Sequence, residues 1–261
     1  MNAIAYAWQY TELASHAPKS SDSSPLLKNC IFTPMENDED YGYIAELSDK
    51  LIICFQGTRN LKAWITDFMA YPLKWEGTLK DTRTGHAGTI HNKFYEAWSN
   101  FKPAIENYLF TYSKSTKDTC AEIWKRDKLP PIYMYGQSRG GALGALCARH
   151  IAKNLGIPCS CIIFGAPAQG NKQYRDEFNL LPINCTDIIH GYEITGDLPP
   201  YWAGFRRVGR YLWLSEPVIH KYFYKIRDHF YSTTTRALMK YCREDTEAQV
   251  ALKEVFGNVV V

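Results

Sequence analysis

The sequence predicts an α/β protein with a mainly parallel sheet covered by helices on both faces, in one domain over residues 1–261. Three observations carry this. In the second half, strand-like runs at about 131–135, 159–164 and 185–194 alternate with helix-forming segments, the clearest at 142–155; such alternation belongs to parallel sheets. At the first of these strand-to-helix junctions stands Gly136-Gln137-Ser138-Arg139-Gly140, a G-x-S-x-G pattern in the strand–turn–helix setting that it requires. Finally, 261 residues with 46% hydrophobic and 22% charged content make a chain able to bury a full core without metals or disulfide staples.

The elements follow in order. A helix is expected over about 4–16, with Trp8, Leu13 and the alanines on its apolar side. Residues 20–25 read as a polar loop. Tyr41–Leu47 and Leu51–Gln56 flank Ser48-Asp49-Lys50 and predict a β-hairpin. A loop-rich stretch with Gly77, Gly85 and Gly88 leads into a long helix from about 93 to 112, bent near Pro103. Residues 114–128 are polar and read as an exposed connection, ahead of the strands and helix already named.

Composition narrows the function classes. Thirty basic against 27 acidic residues leave a net charge of +3. That is too small to argue for a nucleic-acid partner and only mildly favours an anionic membrane surface. No stretch approaches the ~20 apolar residues of a transmembrane helix. The first ten residues lack a positive segment and a cleavage site, so no standard signal peptide is read. The eight cysteines include several in apolar runs, such as Cys54 and Cys161, and none has paired zinc-site spacing. They read as small buried thiols, and no metal or cofactor is called for. With the missing signal, they lean the expectation toward a cytoplasmic, reducing compartment.

The chemistry gathers around Ser138. A turn this tight strains the serine backbone, and side chains two residues before and after it would collide. Gly136 and Gly140 remove them, and Gly141 lets the helix pack close to the strand. Ser138 then stands at a helix amino end, where free N–H groups favour an anion. A base and an acid must follow in the chain. His190 sits in a strand-like run ahead of every acid of the next loop, and spacing alone leaves His229 and His220 as rivals. Asp197, directly after a strand and before Pro199-Pro200, is the best-placed acid. Asp187 reads as a surface or turn residue. In these roles His229 takes the proton of Ser138, and Asp197 holds the imidazole tautomer.

A second stretch begins where the strand ending at Phe55 meets Gln56-Gly57-Thr58. The N–H of Thr58, with its hydroxyl, and the N–H of Arg139 are candidate donors to a developing oxyanion. Beyond it, Leu61, Trp64, Ile65, Phe68 and Met69 fall at helical spacing on one stripe. Periodicity alone leaves this either a core helix or a lid, about 59–72, that covers the site in water and turns to lipid when open.

Phe55-Gln56-Gly57-Thr58, Trp64-Ile65-Thr66-Asp67, Gly136 through Leu143, Phe164 through Asn171 and Gly196 through Pro200 follow one another in an order that resembles class 3 lipases, the fungal triacylglycerol-lipase-like α/β-hydrolases. The resemblance covers roughly residues 40–235. It implies the α/β-hydrolase fold, esterase chemistry on acylglycerols or phospholipids without metal or cofactor, and a triad of Ser138, Asp197 and His229. It further implies Thr58 as the oxyanion residue, Asp67 as the acid orienting its hydroxyl, and a helical lid. His91 matches the segment before the long helix and reads as structural or pocket-lining. The expected partners are a lipid or ester substrate and, transiently, a lipid interface. An esterase for soluble esters of feruloyl-esterase type and an inactive lipase-like binding protein are the alternatives. Arg139 and Gln137 depart from the family pattern, and the Asp197-to-His229 interval is short. A cation beside the nucleophile favours an anionic head group unless a local acid pairs with it.

Overall fold

The computed structural model describes residues 3–37, 40–58, 89–191, 193, 195, 198–199, 201, 204–214, 234 and 237–238. Seven strands form the main sheet: β1 (Ile31–Glu36), β2 (Tyr41–Glu46), β3 (Leu51–Phe55), β4 (Ile132–Gln137), β5 (Cys159–Phe164), β7 (Ile183–Ile189) and β9 (Arg210–Trp213). They lie side by side in that order. β1, β2 and β3 pair antiparallel, and from β3 onward every pairing is parallel. Two short strands, β6 (Gly170–Asn171) and β8 (Phe205–Arg206), form a separate ribbon.

Strand periodicity of two sorts the core into two faces. Leu51, Ile53 and Phe55 of β3, Ile132 and Met134 of β4, and Cys161 and Ile163 of β5 pack on one side. There they meet α2 (Asn92–Ser113) and α4 (Arg139–Asn154). The α2 stripe, Phe94, Ala97, Trp98, Phe101, Ile105 and Leu109, has helical spacing and is buried throughout. Burying each of its large side chains stabilises the fold by about 1.5–3 kcal/mol. Ile52, Cys54, Tyr135 and Phe164 point to the other face, covered by α1 (Ala3–Ser15). Trp8 meets Phe164 edge to face at 4.7 Å, and the Tyr43 hydroxyl donates to the Tyr10 carbonyl at 2.8 Å.

The long helix expected over 93–112 is α2, Asn92–Ser113, with Pro103 inside it. Several other expectations need correction. The supposedly exposed connection contains a helix, α3 (Cys120–Arg126), because Cys120 and Trp124 bury against the first core. α4 begins at Arg139, directly after the serine, rather than at 142. β7 stops at Ile189 instead of running to 194, since the chain turns at Gly191 with φ +56. Asp187 is neither surface nor turn: it is fully buried in β7 against Arg207. Sequence reading did not find edge strands β1 and β9 or the helix α5 (Lys172–Leu180). Six of the seven described cysteines are buried free thiols, and Cys30 is partly buried.

Candidate active site

β4 lies inside the sheet between β3 and β5, and at its carboxyl end Ser138 turns the chain into α4. Its backbone sits at φ 55 and ψ −127, a conformation that L-residues avoid unless their surroundings impose it. The surroundings do impose it. The Ser138 N–H donates to Phe164 O at 2.9 Å, and Ser138 O accepts from Ala142 N at 3.1 Å. A Cβ on Gly136 would collide with Gly140 O and come within 2.8 Å of Gly141 N. One on Gly140 would strike Phe55 O and lie 2.6 Å from Gln56 O, and one on Gly141 would lie 2.9 Å from Ala166 Cβ. The glycines of the pattern are thus required by backbone contact, as their spacing predicted. Ser138 is buried, and its Oγ makes no hydrogen bond among the described residues.

Register brings the second arm to the same edge. Phe55 pairs with Gly136, so Gln56-Gly57-Thr58 leaves β3 beside the elbow. The close packing of Gly140 on the Phe55 and Gln56 carbonyls locks that arm to the start of α4. Arg139 carries the first N–H after the serine. Its side chain forms an ion pair, Nη2 to Asp40 Oδ2 at 2.9 Å, with side-chain exposures of 15% and 7%. Arg139 is therefore paired with a local acid.

A carboxylate that sequence reading passed over lies on the other flank. Glu193 is 5% exposed. Its Oε1 accepts from His190 N at 3.0 Å, and the Thr195 hydroxyl donates to Oε2 at 3.4 Å. It lies so close over Gly165 that a Cβ there would come within 2.9 Å of Oε1. Gly165 follows Phe164, the residue whose carbonyl holds Ser138 N. Extending β7 to 194 had hidden Glu193 inside a strand, and Gly191 was the signal that the strand ends earlier. The turn containing Glu193 is closed by Glu193 N donating to His190 O at 3.3 Å.

His91 is partly buried, with its ring 5.1 Å from Phe94 and 5.7 Å from Phe205, and its N–H donates to Gln169 O at 3.0 Å. Burial, helped by Lys93, lowers its pKa to about 4 and keeps it neutral at pH 7. That agrees with a structural residue holding the 165–171 loop. Burial also drives the Asp187 carboxyl up to about 7 against the pull of Arg207, whose Nε donates to Asp187 Oδ2 at 2.7 Å. Asp197, His220, His229, Asp67 and the stripe Leu61, Trp64, Ile65, Phe68 and Met69 lie outside the described residues. Among the described residues, no group of His, Cys, Asp and Glu is arranged to hold a metal, and no helix is long and apolar enough to cross a membrane.

The chain is similar to known proteins in sequence and fold. Residues 52–202 match the family model described as lipase (class 3). Phospholipase A1-IIdelta of Arabidopsis thaliana is 27% identical over 169 residues, covering 52% of this chain and 41% of that protein. The chain thus spans about two fifths of that relative's length. Lipase II from Rhizopus niveus superposes with a TM-score of 0.64 at 18% identity, over 87% of this chain and 92% of that one. A triacylglycerol lipase described as having a serine-protease triad as its catalytic centre superposes at 0.60, with 17% identity, over 82% and 80%. The fold is that of the α/β-hydrolases. With more than half its length inside the family match, the chain belongs to the class 3 lipases.

Proposed function

We propose that the protein hydrolyses the carboxyl esters of glycerolipids through an acyl-enzyme on Ser138. The observation that carries this is the elbow itself: a serine at φ 55, held by glycine contacts at a sheet edge, beside the arm that ends in Thr58. A fold needing only a turn has no use for that strain. The family, the phospholipase A1 relative and the triacylglycerol-lipase neighbour support a lipid ester as substrate.

In this reading Ser138 Oγ attacks the ester carbonyl while His229 takes its proton. The N–H groups of Thr58 and Arg139 hold the oxyanion, with Asp67 orienting the Thr58 hydroxyl. His229 then protonates the leaving alcohol, and water, deprotonated by the same imidazole, releases the fatty acid. For the acid that orients His229, Glu193 has better support than Asp197. It is buried, hydrogen-bonded and close to the strand end that holds the serine.

The test is fatty-acid release from phospholipid vesicles, a triacylglycerol emulsion and a short-chain nitrophenyl ester by paired variants. Glu193→Gln should lose roughly 10²- to 10⁴-fold in kcat while Asp197→Asn loses little. His229→Ala should be far more severe than His220→Ala. A larger loss in Asp197→Asn returns the role to Asp197, and activity confined to the soluble ester refutes the lipid substrate.

A further inference from the structure

The two arms that would hold the oxyanion leave different parts of the chain, yet both are fastened to one pair of neighbours, Asp40 and Tyr41. Asp40 grips the Arg139 side chain across 99 residues of sequence, with 2.9 Å between Nη2 and Oδ2. Tyr41, the first residue of β2, accepts the Gln56 N–H on its carbonyl at 2.9 Å, and so holds the arm leading to Thr58. This anchor is itself fixed. The Tyr41 hydroxyl donates to Pro18 O, and the Gln56 side chain donates to Ser15 O at 2.9 Å. Asp40 closes its turn through its N–H to Asn37 Oδ1 at 2.8 Å and its carbonyl to Asn37 N at 3.0 Å.

A largely desolvated ion pair adds little net stability, because desolvation offsets its attraction. What it does supply is a fixed direction: a charge-assisted bond holds one end of a long side chain in one place. Arg139 is the first residue of α4, so restraining its side chain restrains the backbone N–H that would face the oxyanion. Donors to an oxyanion are effective only when preset within a few tenths of an ångström.

We infer that Asp40 is a positioning residue: its carboxylate, through Arg139, sets the elbow N–H against the Thr58 arm, and the Arg139 cation serves this pairing rather than substrate recognition. The inference rests on the hydrolase reading of Ser138.

The experiment measures kcat and KM for a neutral short-chain nitrophenyl ester, with thermal midpoints, for wild type, Asp40→Asn, Arg139→Gln and the double variant. Each single variant should lose about tenfold in kcat, a fraction of the 10²–10³ lost when a donor is deleted outright, with KM nearly constant. The double variant should be no worse than either single, as for two residues acting as one unit. Three results would overturn the inference: kcat per folded enzyme unchanged, losses confined to KM, or a faster Asp40→Asn from a freed cation. A wild type without ester turnover overturns the hydrolase reading too, whereas active wild type with silent variants overturns this inference alone.

Discussion

Two glycines on the same helix show how narrowly the elbow is specified. At Gly140 an added Cβ would enter the backbone of β3, striking Phe55 O and lying 2.6 Å from Gln56 O. Neither strand nor helix can yield without moving Ser138. At Gly144, one turn further along α4, the nearest atom would be Ile163 Cγ2 at 3.5 Å, an ordinary contact. Gly140→Ala should therefore lower stability by several kcal/mol and abolish ester turnover. Gly144→Ala should leave turnover intact and raise stability by roughly 0.5–1 kcal/mol, because alanine loses less backbone entropy in a helix. Urea unfolding of both variants checks this; equal effects would mean that the elbow glycines serve helix packing alone. The elbow was legible in the sequence because glycine is the one residue that such backbone contacts admit. Glu193 was not, because nothing in Ile189-His190-Gly191 marks the strand's end except the glycine, and a buried carboxylate leaves no pattern in one chain.

Elements were readable in proportion to their periodicity. The α2 stripe, the β2–β3 hairpin and the β4–α4 unit repeat apolar residues at helical or strand spacing over long enough runs. The short helix α3 was lost because only Cys120 and Trp124 of its seven residues are buried. Edge strand β9 was lost because most of it faces outward. The stripe Leu61, Trp64, Ile65, Phe68 and Met69 falls outside the described residues, and its role as a lid over about 59–72 stays a proposal drawn from periodicity and family resemblance. If the stripe closes over Ser138 in water and inserts into lipid, opening loses little apolar burial. Activity on a sparingly soluble ester should then rise steeply past its solubility limit. Trp64→Ser should blunt that rise and spare short soluble esters, since an indole suits the boundary of head groups and acyl chains. Plain saturation through the limit, with Trp64→Ser harming both activities, would make the stripe ordinary core.

At the scale of the molecule, the parallel register of β3, β4 and β5 sends three chain segments to one edge of the sheet. Gln56–Thr58, Ser138–Arg139 and Gly165 emerge there together, and the turn carrying Glu193 closes over Gly165. α1 and α2 cover opposite faces and leave that edge to the loops, which is where an open α/β sheet presents its chemistry. The charge and composition, which gave no argument for a nucleic-acid partner, said nothing of this convergence, which depends on register. The central claim is that Ser138 is an activated nucleophile and not merely a strained turn residue. Mass spectrometry of active-site peptides after brief exposure to a fluorophosphonate tests it most directly. One covalent adduct is expected, on Ser138, formed within minutes near pH 8 and absent from the heat-unfolded protein. An unlabelled Ser138 in folded protein, or label spread over other serines at equal rates, would contradict it.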